Sequence, residues 1–212
     1  MKLLYKELAL TAHPSSLVFA LLGCLVIVPA YPYSAIFLFG CLAPYLTFVN
    51  ARETNDLWYT ALLPVSRRDS VRGKWLLTVF LQLFQLLFSL PFVLLRQALG
   101  VADNPVGLDA TPAWYGLALA AYAAFDLVFF AAYFKSGYKA GKAFLLAALP
   151  LAAVMAAAES AAHIPALQWL DNASPENLRR QVPVLLSGMA CYAALLPLAY
   201  KTGVRRFEKV DL

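Results

Sequence analysis

Charged side chains are scarce in this chain: Asp, Glu, Lys and Arg make up 14% of 212 residues, against 62% hydrophobic residues and a mean hydropathy of +0.67. A soluble domain of this size cannot bury that much apolar surface, which excludes the soluble class. Histidine occurs twice, as His13 and His163. Neither stands at metal-ligand spacing or beside a candidate nucleophile, so an intramembrane protease is not indicated. The three cysteines, Cys24, Cys41 and Cys191, lie inside apolar runs without a CxxC pair and read as small buried hydrophobes. A complete phosphate-binding loop is also missing. Gly137-Tyr-Lys-Ala-Gly-Lys-Ala143 is one residue short of GxxxxGK[ST] and lacks the terminal hydroxyl, so no ATP or other cofactor is expected on this chain.

What the chain does have is long apolar runs. They predict an all-α integral membrane protein, a single domain over 1–212, with six transmembrane helices at about 15–30, 34–50, 75–95, 114–134, 143–158 and from 182 to 200. Residues 1–12 set Leu3, Leu4 and Leu8 against Lys2, Lys6 and Glu7, the pattern of an amphipathic helix in the headgroup plane. The N-terminus shows no small-x-small cleavage site, so the first span is expected to stay in the membrane. Of the seventeen Lys and Arg, fourteen fall in the N-terminus, the 51–74 loop, the 135–142 loop and the tail; Arg96, Arg179 and Arg180 are the rest. The positive-inside rule therefore predicts a multi-pass protein with both termini cytoplasmic, and it accounts for the net charge of +5 without a nucleic-acid partner.

Within the spans, Ala148, Ala152 and Ala156 form a small-xxx-small stripe that invites close helix packing, either within the chain or against a second copy. Pro29, Pro44, Pro91, Pro150 and Pro197 mark possible kinks. Asp126 sits near the middle of the fourth span, where an ionised carboxylate costs at least about 2.5–3.5 kcal/mol, so it should face the bundle interior. Two readings stand side by side there: a hydrogen bond to a neighbouring helix, or a position on a translocation path.

The loop 51–74 carries the most information. Thr54 or Asn55 is placed to cap a short helix over Asp56–Leu63 that Pro64 ends. Leu57, Trp58, Ala61 and Leu62 fall on one side of it, and Asp56, Tyr59 and Thr60 on the other. Ser66 and Asp69 match a capping box for the next helix, and Arg67 and Arg68 lie between them. Such a helix suits docking into a groove on a partner, and it suits equally an interfacial helix on anionic lipid.

The segment Leu62-Leu-Pro-Val-Ser-Arg67, then Val71-Arg-Gly-Lys74, resembles the ABC-2 type permeases, in particular the small six-span permeases of bacterial exporters related to phenol-soluble-modulin and lantibiotic transporters. The N-terminal Lys-x-Leu-x-Lys-Glu-Leu, Gly137-Tyr-Lys-Ala-Gly-Lys142 and the tail Val204-Arg-Arg-Phe-Glu-Lys-Val-Asp211 are similar to that family in the same order. The resemblance implies a permease of the bacterial cytoplasmic membrane that pairs with a second permease, identical or related, and with two separate cytoplasmic ATPase subunits that bind ATP and Mg. It makes the 55–64 helix the coupling helix, with Asp56, Leu57, Trp58, Ala61, Leu62, Pro64, Arg67 and Arg68 at the ATPase, and an amphipathic peptide the first-choice substrate. The alternative is a six-span substrate-capturing subunit of a vitamin-type importer.

Overall fold

The computed structural model describes residues 2–62, 65–101, 103–136 and 139–210. Helices α1 (Lys2–Lys6), α2 (Pro14–Leu21), α3 (Ala35–Glu53), α4 (Asp56–Leu62), α5 (Arg67–Ala98), α6 (Pro112–Lys135), α7 (Ala140–His163) and α8 (Pro175–Phe207) follow one another, and no strand occurs among the described residues. The chain is an all-α integral membrane protein. Helices α3, α5, α6, α7 and α8 are each long and apolar enough to cross a bilayer, and the segments Leu3–Ala9 and Pro14–Ile27, bent by 101° at their junction, add a sixth candidate span.

That bend separates the expected amphipathic N-terminus from the expected first span. Helix α1 continues as a π-helical turn over Glu7–Thr11, and α2 then starts with His13 as its cap, its Nδ1 accepting from the Ser15 amide at 3.2 Å. The last part, Leu22–Ile27, tightens into a 3-10 helix, so this span is shorter than the expected 15–30. Gly23 lies against α5 so closely that a Cβ there would stand 2.6 Å from the Gln85 carbonyl. At about 1.5 Å per residue, α5 and α8 are about 48 and 50 Å long, well beyond a hydrocarbon core of about 30 Å. Each therefore extends beyond that core. The start of α5 is well specified: the Ser66 hydroxyl accepts from the Asp69 amide at 3.1 Å and donates to the Asp69 carboxylate at 2.6 Å.

Helix α6 is the centre of the bundle, with Trp114, Tyr122, Phe125, Asp126, Phe129, Phe130 and Tyr133 all buried. It packs most extensively on α8, where the backbones meet at two glycines. A Cβ on Gly188 would collide with the Gly116 carbonyl oxygen, and one on Gly116 would stand 2.5 Å from the Val184 oxygen. Close backbone approach of this kind is what small residues permit in membranes, where apolar burial gives no driving force between helices. The alanine stripe of α7 is placed differently. Ala143, Ala147 and Leu151 are buried, whereas Ala152 and Ala156 are exposed and Ala148 is half-buried, so the packing of α7 within the chain rests on its other face. Exposed leucines such as Leu87, Leu94, Leu145 and Leu149 cover the outside, as lipid contact requires.

Candidate functional site: a buried charge cluster beneath a short exposed helix

At the lysine-rich end of the bundle, α1, α4 and α5 converge on a cluster of opposite charges. Lys74, in the second turn of α5, donates to Asp56 at 2.9 Å and to Glu7 at 3.4 Å. Lys6 donates to Asp56 at 3.2 Å, to Glu7 at 3.2 Å and to the Thr60 hydroxyl at 3.0 Å. Glu7, Asp56, Thr60 and Lys74 are buried, and Lys74 also lies 5.7 Å from the centre of the Phe48 ring on α3. Burial by itself would push the Asp56 carboxyl up, yet the neighbouring Lys74 and Lys6 ammonium groups outweigh it and hold that carboxyl below its ordinary value. Two ammonium and two carboxylate groups thus neutralise one another inside a site that would tolerate none of them singly.

The cluster fixes which way α4 faces. Asp56 and Thr60, one turn apart, point inward, while Leu62 and Tyr59 are exposed at 77% and 56%. Tyr59, grouped with Asp56 and Thr60 by sequence pattern, instead shares the outer side with Leu62. The side chains of Leu57, Trp58 and Ala61, and residues Leu63 and Pro64, lie outside the described residues. The Thr54 hydroxyl donates back to the Asn50 carbonyl at 2.9 Å, and Asn55 takes a left-handed conformation with φ of 52° that turns the chain into α4. Arg67 and Arg68 engage the C-terminal tail. Arg67 donates to the carbonyls of Phe207, Glu208 and Val210, at 2.8 Å for the last, closing the end of α8, and Arg68 pairs with Glu208 at 2.9 Å.

In the middle of the bundle, Asp126 is fully buried and accepts from Gln82 Nε2 at 2.9 Å; the Tyr192 hydroxyl donates to Gln82 Oε1 at 2.9 Å. One level up, the Tyr122 hydroxyl donates to Gln85, whose amide reaches the Phe19 carbonyl at 3.1 Å. Gly40 leaves the room for this pair, since a Cβ there would overlap both the Tyr122 hydroxyl and the Gln85 side-chain oxygen. Helices α2, α5, α6 and α8 are thereby joined through polar side chains, with α3 packed against the network at Gly40. Asp126→Ala is expected to cost about 1–3 kcal/mol, because it leaves the buried Gln82 amide without its acceptor, whereas Asp126→Asn keeps an acceptor and most of the stability. Thermal unfolding of the purified variants checks this; equal stability of the two would show that the bond is dispensable.

The opposite end is closed by a second network. Arg96 pairs with Asp109 and lies over the Tyr33 ring at 5.4 Å, and the Asp109 amide donates to Asp171 at 2.6 Å. Burial holds the Asp171 carboxyl above its ordinary value, with Asp109, Asp103 and Glu159 adding to the effect against that hydrogen bond. His163 stays within its own helix, its Nδ1 2.9 Å from the Glu159 carbonyl.

Sequence pattern missed the pairing of Lys74 with Glu7 and Asp56. Their one signal is position, since each is a charge at the very edge of an apolar run. In comparisons with known proteins, no curated protein and no solved structure matches the chain. The family model described as ABC-2 family transporter protein matches residues 2–174, from the N-terminal helix through α7 into the following turn. The chain therefore belongs to the ABC-2 transporter family, as a multi-pass membrane subunit of the kind that associates with an ABC ATPase.

Proposed function

We propose that this chain is the permease subunit of an ATP-driven exporter in a bacterial cytoplasmic membrane, and that α4 is its coupling helix. The observation that carries the reading is the posture of α4: Asp56 is clamped from below by Lys74 and Lys6, while Leu62 and Tyr59 face outward. A helix pinned on one side to the membrane domain and apolar on the other is built to transmit force from a docked protein. With both termini cytoplasmic, as the distribution of basic residues supports, α4 faces the compartment where ATP is found. The full assembly is then two permeases, identical or related, and two ATPases that hold ATP and Mg, with Asp126 on the translocation path and an amphipathic peptide as cargo.

The test is co-purification with the candidate ATPase and its hydrolysis rate, for wild type, Trp58→Ala and Leu62→Asp. A buried Trp anchor contributes about 2 kcal/mol or more, so Trp58→Ala is expected to weaken association roughly thirty-fold. Leu62→Asp should abolish stimulation of the ATPase. Folded variants that bind and stimulate like wild type would leave α4 an interfacial helix without a coupling role.

A further inference from the structure

Between α5, α6 and α8, toward the end of the bundle away from the charge cluster, runs an apolar trough of about 450 Å³ whose walls include Leu86, Leu90, Leu119, Leu185 and Met189. Along α5 it extends from Leu83 to Gln97, which is about 21 Å of helix. Its one aromatic hydroxyl, Tyr115, is occupied with Ser89 at 2.7 Å. The trough does not end blindly. At its far end it shares Val93, Gln97, Ala110 and Leu178 with a small polar pocket of about 60 Å³ that also includes Arg96, Asp103 and Asp109. One continuous depression is thus apolar for most of its length and polar at one tip.

The charge of the tip selects its occupant. Arg96 is the one cation among the described residues lining the pocket, and it is paired with Asp109, so the exposed Asp103 sets the charge of the pocket. The surrounding segments 96–111 and 159–181 hold five acidic residues against three arginines, in contrast to the basic opposite end. An anionic head such as a lipid phosphate meets an unpaired carboxylate there, whereas a cation finds a partner at the boundary between apolar wall and water.

We infer that this depression is a binding site for a cationic amphiphile, its apolar chain in the trough and its charged head beside Asp103. As the cargo of the exporter, this ligand class rests on the function proposed above; the binding itself does not, and it is measurable without an ATPase.

The experiment measures equilibrium binding of radiolabelled dodecylammonium and dodecyl sulfate to the full chain in phosphatidylcholine nanodiscs, with empty nanodiscs as reference. Wild type is expected to bind one dodecylammonium saturably and at least tenfold more tightly than dodecyl sulfate. Leu90→Trp, which fills the trough from a half-exposed position, should remove the saturable component. Asp103→Lys, at an exposed position, should weaken dodecylammonium roughly tenfold and improve dodecyl sulfate. Leu62→Asp, on α4, should bind like wild type, so a failure of coupling stays distinct from a failure of binding. Uptake no greater than into empty nanodiscs, equal affinity for both amphiphiles, or an unaffected Leu90→Trp each overturns the assignment. So does native mass spectrometry that finds a resident phospholipid lost in Leu90→Trp, or a dimer that this substitution splits.

Discussion

Lys74→Met is expected to destabilise the lysine-rich end of the protein by about 3–5 kcal/mol, the cost of removing one partner from a buried ion pair and stranding the other. Lys74 is the most enclosed cation of the cluster and the only one that fixes α5 to α4. Without it, Asp56 and Glu7 share the single ammonium of Lys6, whose side chain is partly exposed. Lys6→Met should cost less, because Lys74 remains and water reaches the vacated position. Combining Lys74→Met with Asp56→Asn restores charge balance around Lys6 and Glu7 and should recover most of the loss. Thermal unfolding, together with protease cleavage in the 51–66 segment, reads both effects. If Lys74→Met unfolds within about 0.5 kcal/mol of wild type, the cluster is a surface feature and does not hold α4. Acid acts on the same contact. Because the Asp56 carboxyl is held below its ordinary value, its contribution is complete above the usual carboxylate range and is lost as pH falls through its depressed folded value.

Gly188→Leu is the second change with a large expected effect, because it acts on backbone rather than on a side chain that can move aside. Even a methyl group at Gly188 would overlap the Gly116 carbonyl, so a leucine must drive α6 and α8 apart along the most extensive helix contact in the molecule. Overpacking in a tight core costs typically about 1–3 kcal/mol and occasionally more, and here the strain falls on rigid backbone. Gly188→Leu is expected to abolish the monodisperse folded species in size-exclusion chromatography, and Gly188→Ala to lower its thermal midpoint. Gly141→Ala is the control: its new Cβ finds nothing nearer than the Tyr45 hydroxyl at 3.9 Å, so stability should not change measurably. A folded Gly188→Leu with the wild-type midpoint would mean that α6 and α8 do not cross at this point.

Hydropathy made the long helices legible, because lipid imposes one requirement, a continuous apolar helix, on every span. It also made the interior position of Asp126 legible, since cost alone excludes the lipid face. The break between the amphipathic N-terminus and the first span was legible, and His13 and Pro14 mark it locally; the shortening of that span was not, because Leu22–Ile27 is apolar and its tightening accompanies close contact of Gly23 with α5. The alanine stripe of α7 is periodic and conspicuous, but periodicity does not say whether its neighbour lies in the chain or in a second copy, and within the chain α7 packs by its other face. Within the chain, helix backbones meet at Gly116 and Gly188, seventy-two positions apart and on two different helices. Local pattern reports repeated residues along one helix and is blind to a pair split between two. The same blindness hid the partnership of Glu7, Asp56 and Lys74, whereas the Ser66 and Asp69 cap, which is local, was read correctly.

The hydrogen bond between Gln82 and Asp126 bears on how the chain enters the membrane. Helix α6 carries a carboxyl whose transfer into lipid is costly, and α5, which carries the amide, is synthesised immediately before it. The acceptor on α6 therefore emerges when its donor is already available, whereas Tyr192, which completes the chain of contacts from α8, arrives last. The polar pair sits on successive spans in the order of translation, which lets α5 and α6 leave the insertion machinery as a hairpin, with α8 closing over them afterwards.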